Sequence, residues 1–171
     1  FITNDGMLDH LWVNIGGGRF EEQGMRLGCA SDNTGKAKAG MGVSVADIDS
    51  DGDLDLLVGN LFRETDSLFL HENGIFVDAT ARWGLAARSR LFTRWGLGFV
   101  DFDNDGLLDL YEGMGRVRWQ ADLHSEGDQY AEPNLLFRQV NGRFEEVLPR
   151  GGTAGLLIAT SHGVAFGDLD N

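Results

Sequence analysis

Residues Asp101 to Glu112 read DFDNDGLLDLYE, with carboxylates at positions 1, 3, 5, 9 and 12 and Gly106 at position 6. The stretch has a sister 54 residues earlier, where Asp47 to Val58 read DIDSDGDLDLLV. Both share the pattern D-x-D-x-D-G-x-x-D, and they part at position 12, which is Glu112 in one copy and Val58 in the other. A third copy begins as GVAFGDLDN at Gly163 and contributes Asp168 and Asp170. Gly42, Gly96 and Gly163 each stand five residues before the first Asp of their cluster, and Val45, Phe99 and Phe166 two before.

A second block recurs between the clusters: HLWVNIGGGRFEE, SLFLHENGIFVDA and NLLFRQVNGRFEE. Its marker residues Phe20, Phe76 and Phe144 are spaced by 56 and 68 residues, against 54 and 67 for the acidic clusters. Two marker sets in one register make this an internal repeat. The second block carries an apolar run, a Gly- and Asn-containing turn and a strand entered by Phe, which is hairpin chemistry. Aligning the apolar runs sets His71 against Asn14 and Arg138, and Trp12 against Phe69 and Leu136, which predicts a packed Trp12. Each unit thus reads as four short strands: one into the acidic turn, one out of it, and the two of the hairpin. The stretch from Ala79 to Arg90 is broken by Gly84 and predicts at most a turn or two of helix. The expected fold is all-β: one domain over residues 1–171, a partial β-propeller of about three four-stranded blades, with a solenoid of short strands as its competitor. Three blades fall short of the roughly four to eight of a closed ring, so blades are expected beyond both ends of the chain.

The acidic turns, at 47–55, 101–109 and truncated at 168–171, hold eleven of the 27 acidic residues. Alternating Asp residues around a Gly turn offer hard oxygen ligands in the number Ca²⁺ accepts, whereas Mg²⁺ demands stricter octahedral geometry. The competing reading is a solvated acidic turn. Position 12 decides against an EF-hand, because Val58 cannot bind a cation and Gly96, Gly98, Gly113 and Gly115 weaken flanking helices. The expected ligands are Asp47, Asp49, Asp51, Asp53 (through its carbonyl) and Asp55 in the first turn. In the second they are Asp101, Asp103, Asp105, the carbonyl of Leu107, and Asp109; Asp168 and Asp170 open a third. Glu112 is expected on the outgoing strand, outside the site.

The 171 residues carry 14 basic against 27 acidic side chains, a formal charge of −13, which argues against nucleic acid as a partner. The 25 glycines against two prolines suit many tight turns between short strands. Cys29 is the single cysteine and reads as a small packed residue. No run of 18 apolar residues is present, so no membrane-spanning helix is expected.

The stretches ITNDGMLDHLWVNIGGGRFEE, GKAKAGMGVSVADIDSDGDLDLLVGN, WGLGFVDFDNDGLLDLYEGMG and SHGVAFGDLDN resemble the FG-GAP/VCBS-type calcium repeats of integrin α-subunit propellers, and more closely the ASPIC/UnbV and cartilage acidic protein family. The resemblance covers essentially the whole chain. It implies a calcium-loaded β-propeller that is extracellular, periplasmic or attached to the cell surface, engaged in protein or carbohydrate binding and adhesion, with no catalysis of its own. The alternative is the propeller portion of a polysaccharide lyase or hydrolase whose catalytic residues lie elsewhere; an intracellular calcium sensor would need the flanking helices that are missing.

A search for catalytic residues agrees with a non-enzyme. His10, His71, His124 and His162 lack metal-ligand spacing, no Ser stands in a nucleophile context, and NIGGGRF occupies a hairpin turn rather than a phosphate cradle. One region departs from the repeat. From Asp109 to Leu135 the chain runs 26 residues, against 13 from Asp55 to Leu68, and the excess lies in GRVRWQADLHSEGDQYAE. Arg116, Arg118, Trp119, His124 and Tyr130 make it a candidate interaction loop, with an ordinary packed surface loop as the competing reading.

Overall fold

The computed structural model describes residues 1–117 and 128–167. Its strands are β1 (Trp12–Gly16), β2 (Arg19–Glu22), β3 (Gly40–Ala46), β4 (Asp55–Asn60), β5 (Ser67–Glu72), β6 (Ile75–Asp78), β7 (Arg94–Val100), β8 (Asp109–Met114), β9 (Glu132–Pro133), β10 (Leu135–Gln139), β11 (Phe144–Glu146) and β12 (Ile158–Ala159). Helix is confined to α1 (Gly24–Leu27), α2 (Leu85–Arg88) and short 3-10 turns. The fold is all-β, with every strand pairing antiparallel.

Two four-stranded sheets embody the repeat, ordered β3-β4-β5-β6 and β7-β8-β10-β11; β1-β2 and β9-β12 are two-stranded. In each large sheet the first strand runs into the acidic turn and the second runs out, with Ala46 paired to Asp55 and Val100 to Asp109. Even the irregularity repeats, lying between Gly40 and Gly42 in one sheet and between Arg94 and Gly96 in the other.

The second strand of each unit is apolar without alternation because both of its faces are covered. All six residues of β4 are buried. Leu56 and Val58 face the N-terminal segment in a cluster with Cys29 and Phe69, joined by Phe1, Leu11 and Phe76. Leu57 faces the other way, into a larger cluster that takes Leu68 and Leu70 from β5 and Leu97, Leu110, Phe137 and Phe144 from the second sheet. Each Leu so buried contributes roughly 1.5–3 kcal/mol. Trp83 and Leu85, from the connector around α2, complete the seam between the sheets.

The alternation of large and small residues in the first strands has a cause in this stacking. A Cβ on Gly42 would lie 2.0 Å from the Trp95 carbonyl oxygen of β7. One on Gly96 would lie 2.5 Å from the Val164 amide, so the third copy sits on the second sheet much as the second sits on the first. Phe166 meets Phe102 and Tyr111 edge-on, both at 6.4 Å. The described residues thus show units stacked in series, each innermost strand against the next.

Candidate metal centre

Both acidic turns fold by the same bonds. Position 4 is left-handed (Ser50 φ 62°, Asn104 φ 57°), and so is position 6 (Gly52 φ 96°, Gly106 φ 87°), a conformation Gly adopts without a steric cost. The Asp47 carboxylate accepts the amides of Asp51 and Gly52, both at 3.1 Å, and Asp101 accepts those of Asp105 and Gly106 at 3.1 and 2.9 Å. Position 9 is a buried staple. Asp55 accepts the Ile48 and His71 amides at 2.8 Å each, and Asp109 those of Phe102 and Gln139 at 3.1 and 2.9 Å. Each staple therefore ties its turn to the first strand of the hairpin.

These bonds converge the carboxylates. One oxygen from each of Asp47, Asp49 and Asp55 lies within 4.8 Å of the others, and the same holds for Asp101, Asp103 and Asp109. Ionised groups that close repel by on the order of 3 kcal/mol per pair at an effective dielectric near 20. Burial, and then the charges of Asp55, Asp51 and Asp47, raises the Asp49 pKa above the ordinary carboxylate value. Burial also raises Asp55 and Asp109, against the pull of their backbone donors. A hard divalent cation relieves both penalties, and the all-oxygen donor set fits Ca²⁺.

Of the other expected ligands, Asp51 and Asp105 turn one oxygen to the amides of Asp53 and Leu107, 2.9 Å away, and stand outside the convergent trios. The Asp53 side chain approaches His71 at 3.9 Å. Asp168 and Asp170 lie outside the described residues, as do Arg118, Trp119 and His124 of the interaction loop.

Strand pairing corrects the repeat register by one residue. Phe69 pairs with Leu56 and Phe137 with Leu110, so Phe137, not Leu136, is the counterpart of Phe69. Gln139, not Arg138, takes the place of His71: both amides bond the position-9 Asp. The counterpart of Arg138 is then Leu70, and a one-residue slip moves every side chain to the other face. The excess chain in the second unit becomes 14 residues, the step of 68 from Ser67 to Leu135 less the 54 from Asp55 to Asp109. Trp12 is 46% exposed, against 1% for Phe69, since among the described residues β1 pairs only with β2, without the inner strand that covers β5.

Glu112 lies on β8 opposite Leu97, as its place in the repeat predicts, and it is buried in the seam between the sheets. There Asp66, from the turn before β5, pairs with Arg94 of β7 at 2.6 Å, both side chains fully enclosed. Arg94 also donates to the carbonyls of Phe92 and Glu64. Burial, then the Asp66 charge, holds the Glu112 pKa well above the usual range, with Arg94 opposing. Among the described residues Asp66 Oδ2 and both Glu112 oxygens have no partner outside this cluster, which suits two carboxyl groups sharing a proton. Nothing in the local sequence signals this cluster, which assembles from three separate segments.

Arg116 and Tyr130, of the interaction loop, flank an open groove of about 390 Å³ shared with Trp95, Val117, Thr160 and His162. The Trp95 and His162 rings lie 4.6 Å apart. Arg116 Nε stands 3.5 Å from buried Glu132, which anchors it as part of the loop's base. Cys29 is enclosed, and burial pushes its thiol up to about 11, the inert state expected of a packed cysteine.

Residues 1–58 match the FG-GAP-like repeat family. The matched FG-GAP-like segment includes Asp47, Asp49 and Asp55, and the turn at 101–109 repeats its bonds in the next sheet. No curated protein matches the chain.

Proposed function

We propose that the chain is part of a calcium-stabilised β-propeller that serves as a non-enzymatic binding or adhesion module, for a protein or carbohydrate ligand, outside the cell. The observation that carries this reading is the pair of equivalent carboxylate trios on equivalent turns of two sheets stacked in series. Serial stacking of four-stranded meanders through their innermost strands is the packing a propeller uses, and the FG-GAP-like match over residues 1–58 supports the same architecture. Asp47, Asp49 and Asp55 would hold one ion and Asp101, Asp103 and Asp109 another, with Asp51, Asp105 and the carbonyls of Asp53 and Leu107 as further oxygens. Calcium supplies charge neutralisation there and pins the turn between first and second strands. An extracellular setting suits the reading because millimolar calcium fills even weak oxygen sites. Among the described residues no helix is long and apolar enough to cross a membrane. Thermal unfolding in chelator and in 2 mM Ca²⁺ (a level of the order found outside cells) tests the proposal: calcium should raise the melting temperature several degrees, and an unchanged melting temperature after complete metal removal contradicts it.

A further inference from the structure

The two acidic turns share their backbone bonds and carboxylate trios, yet one of them already has a cation. Arg138, the fourth residue of β10, places Nε 2.5 Å from an Asp103 oxygen and a terminal guanidinium nitrogen 3.1 Å from Asp105. These are positions 3 and 5 of the second turn. Leu70, the counterpart of Arg138 in the first sheet, is 1% exposed and packed in the core, so among the described residues Asp49 and Asp51 meet no such group.

We infer that Arg138 is a built-in competitor for the second turn, so that the two sites fill in order: the first turn at low Ca²⁺, the second only once Arg138 has been displaced. The inference rests on the calcium reading and ranks its two sites. A divalent ion entering the second turn must break a forked ion pair and accept a guanidinium close by, two costs absent at the first turn. Glu145 lies directly opposite Arg138 on β11 and offers the displaced guanidinium another carboxylate, which keeps the penalty moderate. Exposed ion pairs are worth up to about fivefold in an equilibrium constant, and the added repulsion brings the expected gap between the turns to roughly tenfold.

Calorimetric titration of the metal-free full chain with CaCl₂ tests the ranking. Asp49→Asn should abolish the tighter phase and Asp103→Asn the weaker one. Arg138→Gln should tighten the weaker phase about tenfold and leave the tighter one alone, while Arg138→Lys, which keeps the charge without the fork, should fall between. Arg138 is half exposed and outside the core, so these variants should keep the metal-free melting temperature within a degree or two, a check on folding. Equal affinities at the two turns, or an Arg138→Gln chain whose weaker phase does not move, overturns the inference while leaving calcium binding intact. No calcium uptake by the unsubstituted chain overturns the calcium reading and the inference together.

Discussion

The two large sheets are one design executed twice, and they diverge on the face that each turns toward the unit before it. At the edge strand the first sheet has Gly40 where the second has Arg94, and on the central strand it has Val58 where the second has Glu112. Val58 packs among apolar neighbours against the N-terminal segment, whereas Glu112 and Arg94 enclose a charged cluster with Asp66. The acidic turns, by contrast, keep the same backbone bonds. A repeat of this kind tolerates exchange of its packing residues provided each seam is satisfied within itself, while the turn chemistry stays constant.

Breaking the seam should have the largest effect. Arg94→Leu leaves Asp66 and Glu112 as acids buried without their cation, and losing one partner of a buried pair costs about 3–5 kcal/mol. Denaturant unfolding should show that loss. A change below 1 kcal/mol would mean the cluster is hydrated in solution.

The staples test the equivalence of the turns. Asp55→Ala and Asp109→Ala each strand two backbone amides, so each should cost about 2–4 kcal/mol even in metal-free protein. A large cost at one turn and none at the other would break the comparison.

Much of this was legible in the sequence. The strands into and out of the acidic turns, the hairpins and the place of Glu112 followed from spacing, since local turn chemistry sets them. The hairpin register did not, because the adjacent Leu135 and Leu136 allow two apolar alignments and only pairing with β8 chooses between them. That slip concealed the ion pairs of Arg138. Another marker was present and unread: Gly28 and Gly84, 56 residues apart, are both left-handed and both abut the carbonyl of the next marker Phe. The Asp66–Arg94–Glu112 cluster had no signal at all, since Asp66 joins Arg94 and Glu112 only when the two sheets dock.

Glu112 sharpens the contrast with Val58 through pH. Its folded pKa is raised, so folding takes up a proton wherever the unfolded side chain, at about 4.5, is ionised. Stability therefore falls as pH rises above that value, and Glu112→Gln should stabilise the chain at pH 7, with the advantage vanishing below pH 4.5. Paired melts across that range would show the gap closing on acidification; a gap that widened would reverse the assigned sign.

The smallest expected effect compares the turns themselves. Ser50 holds the left-handed position that Asn104 fills in the sister turn, and Asn tolerates it better. Ser50→Asn should raise the melting temperature by about 1 °C, corresponding to a few tenths of a kcal/mol. A decrease would show that the Ser50 hydroxyl has a role of its own.

On the proposed reading each acidic turn holds a calcium ion. Native mass spectrometry of the chain equilibrated with Ca²⁺ tests it most directly, comparing the unsubstituted protein with Asp49→Asn, Asp103→Asn and the double variant. Each single variant should lose one calcium and the double variant two. An unchanged calcium count in the double variant, or none bound to the unsubstituted chain, would contradict it.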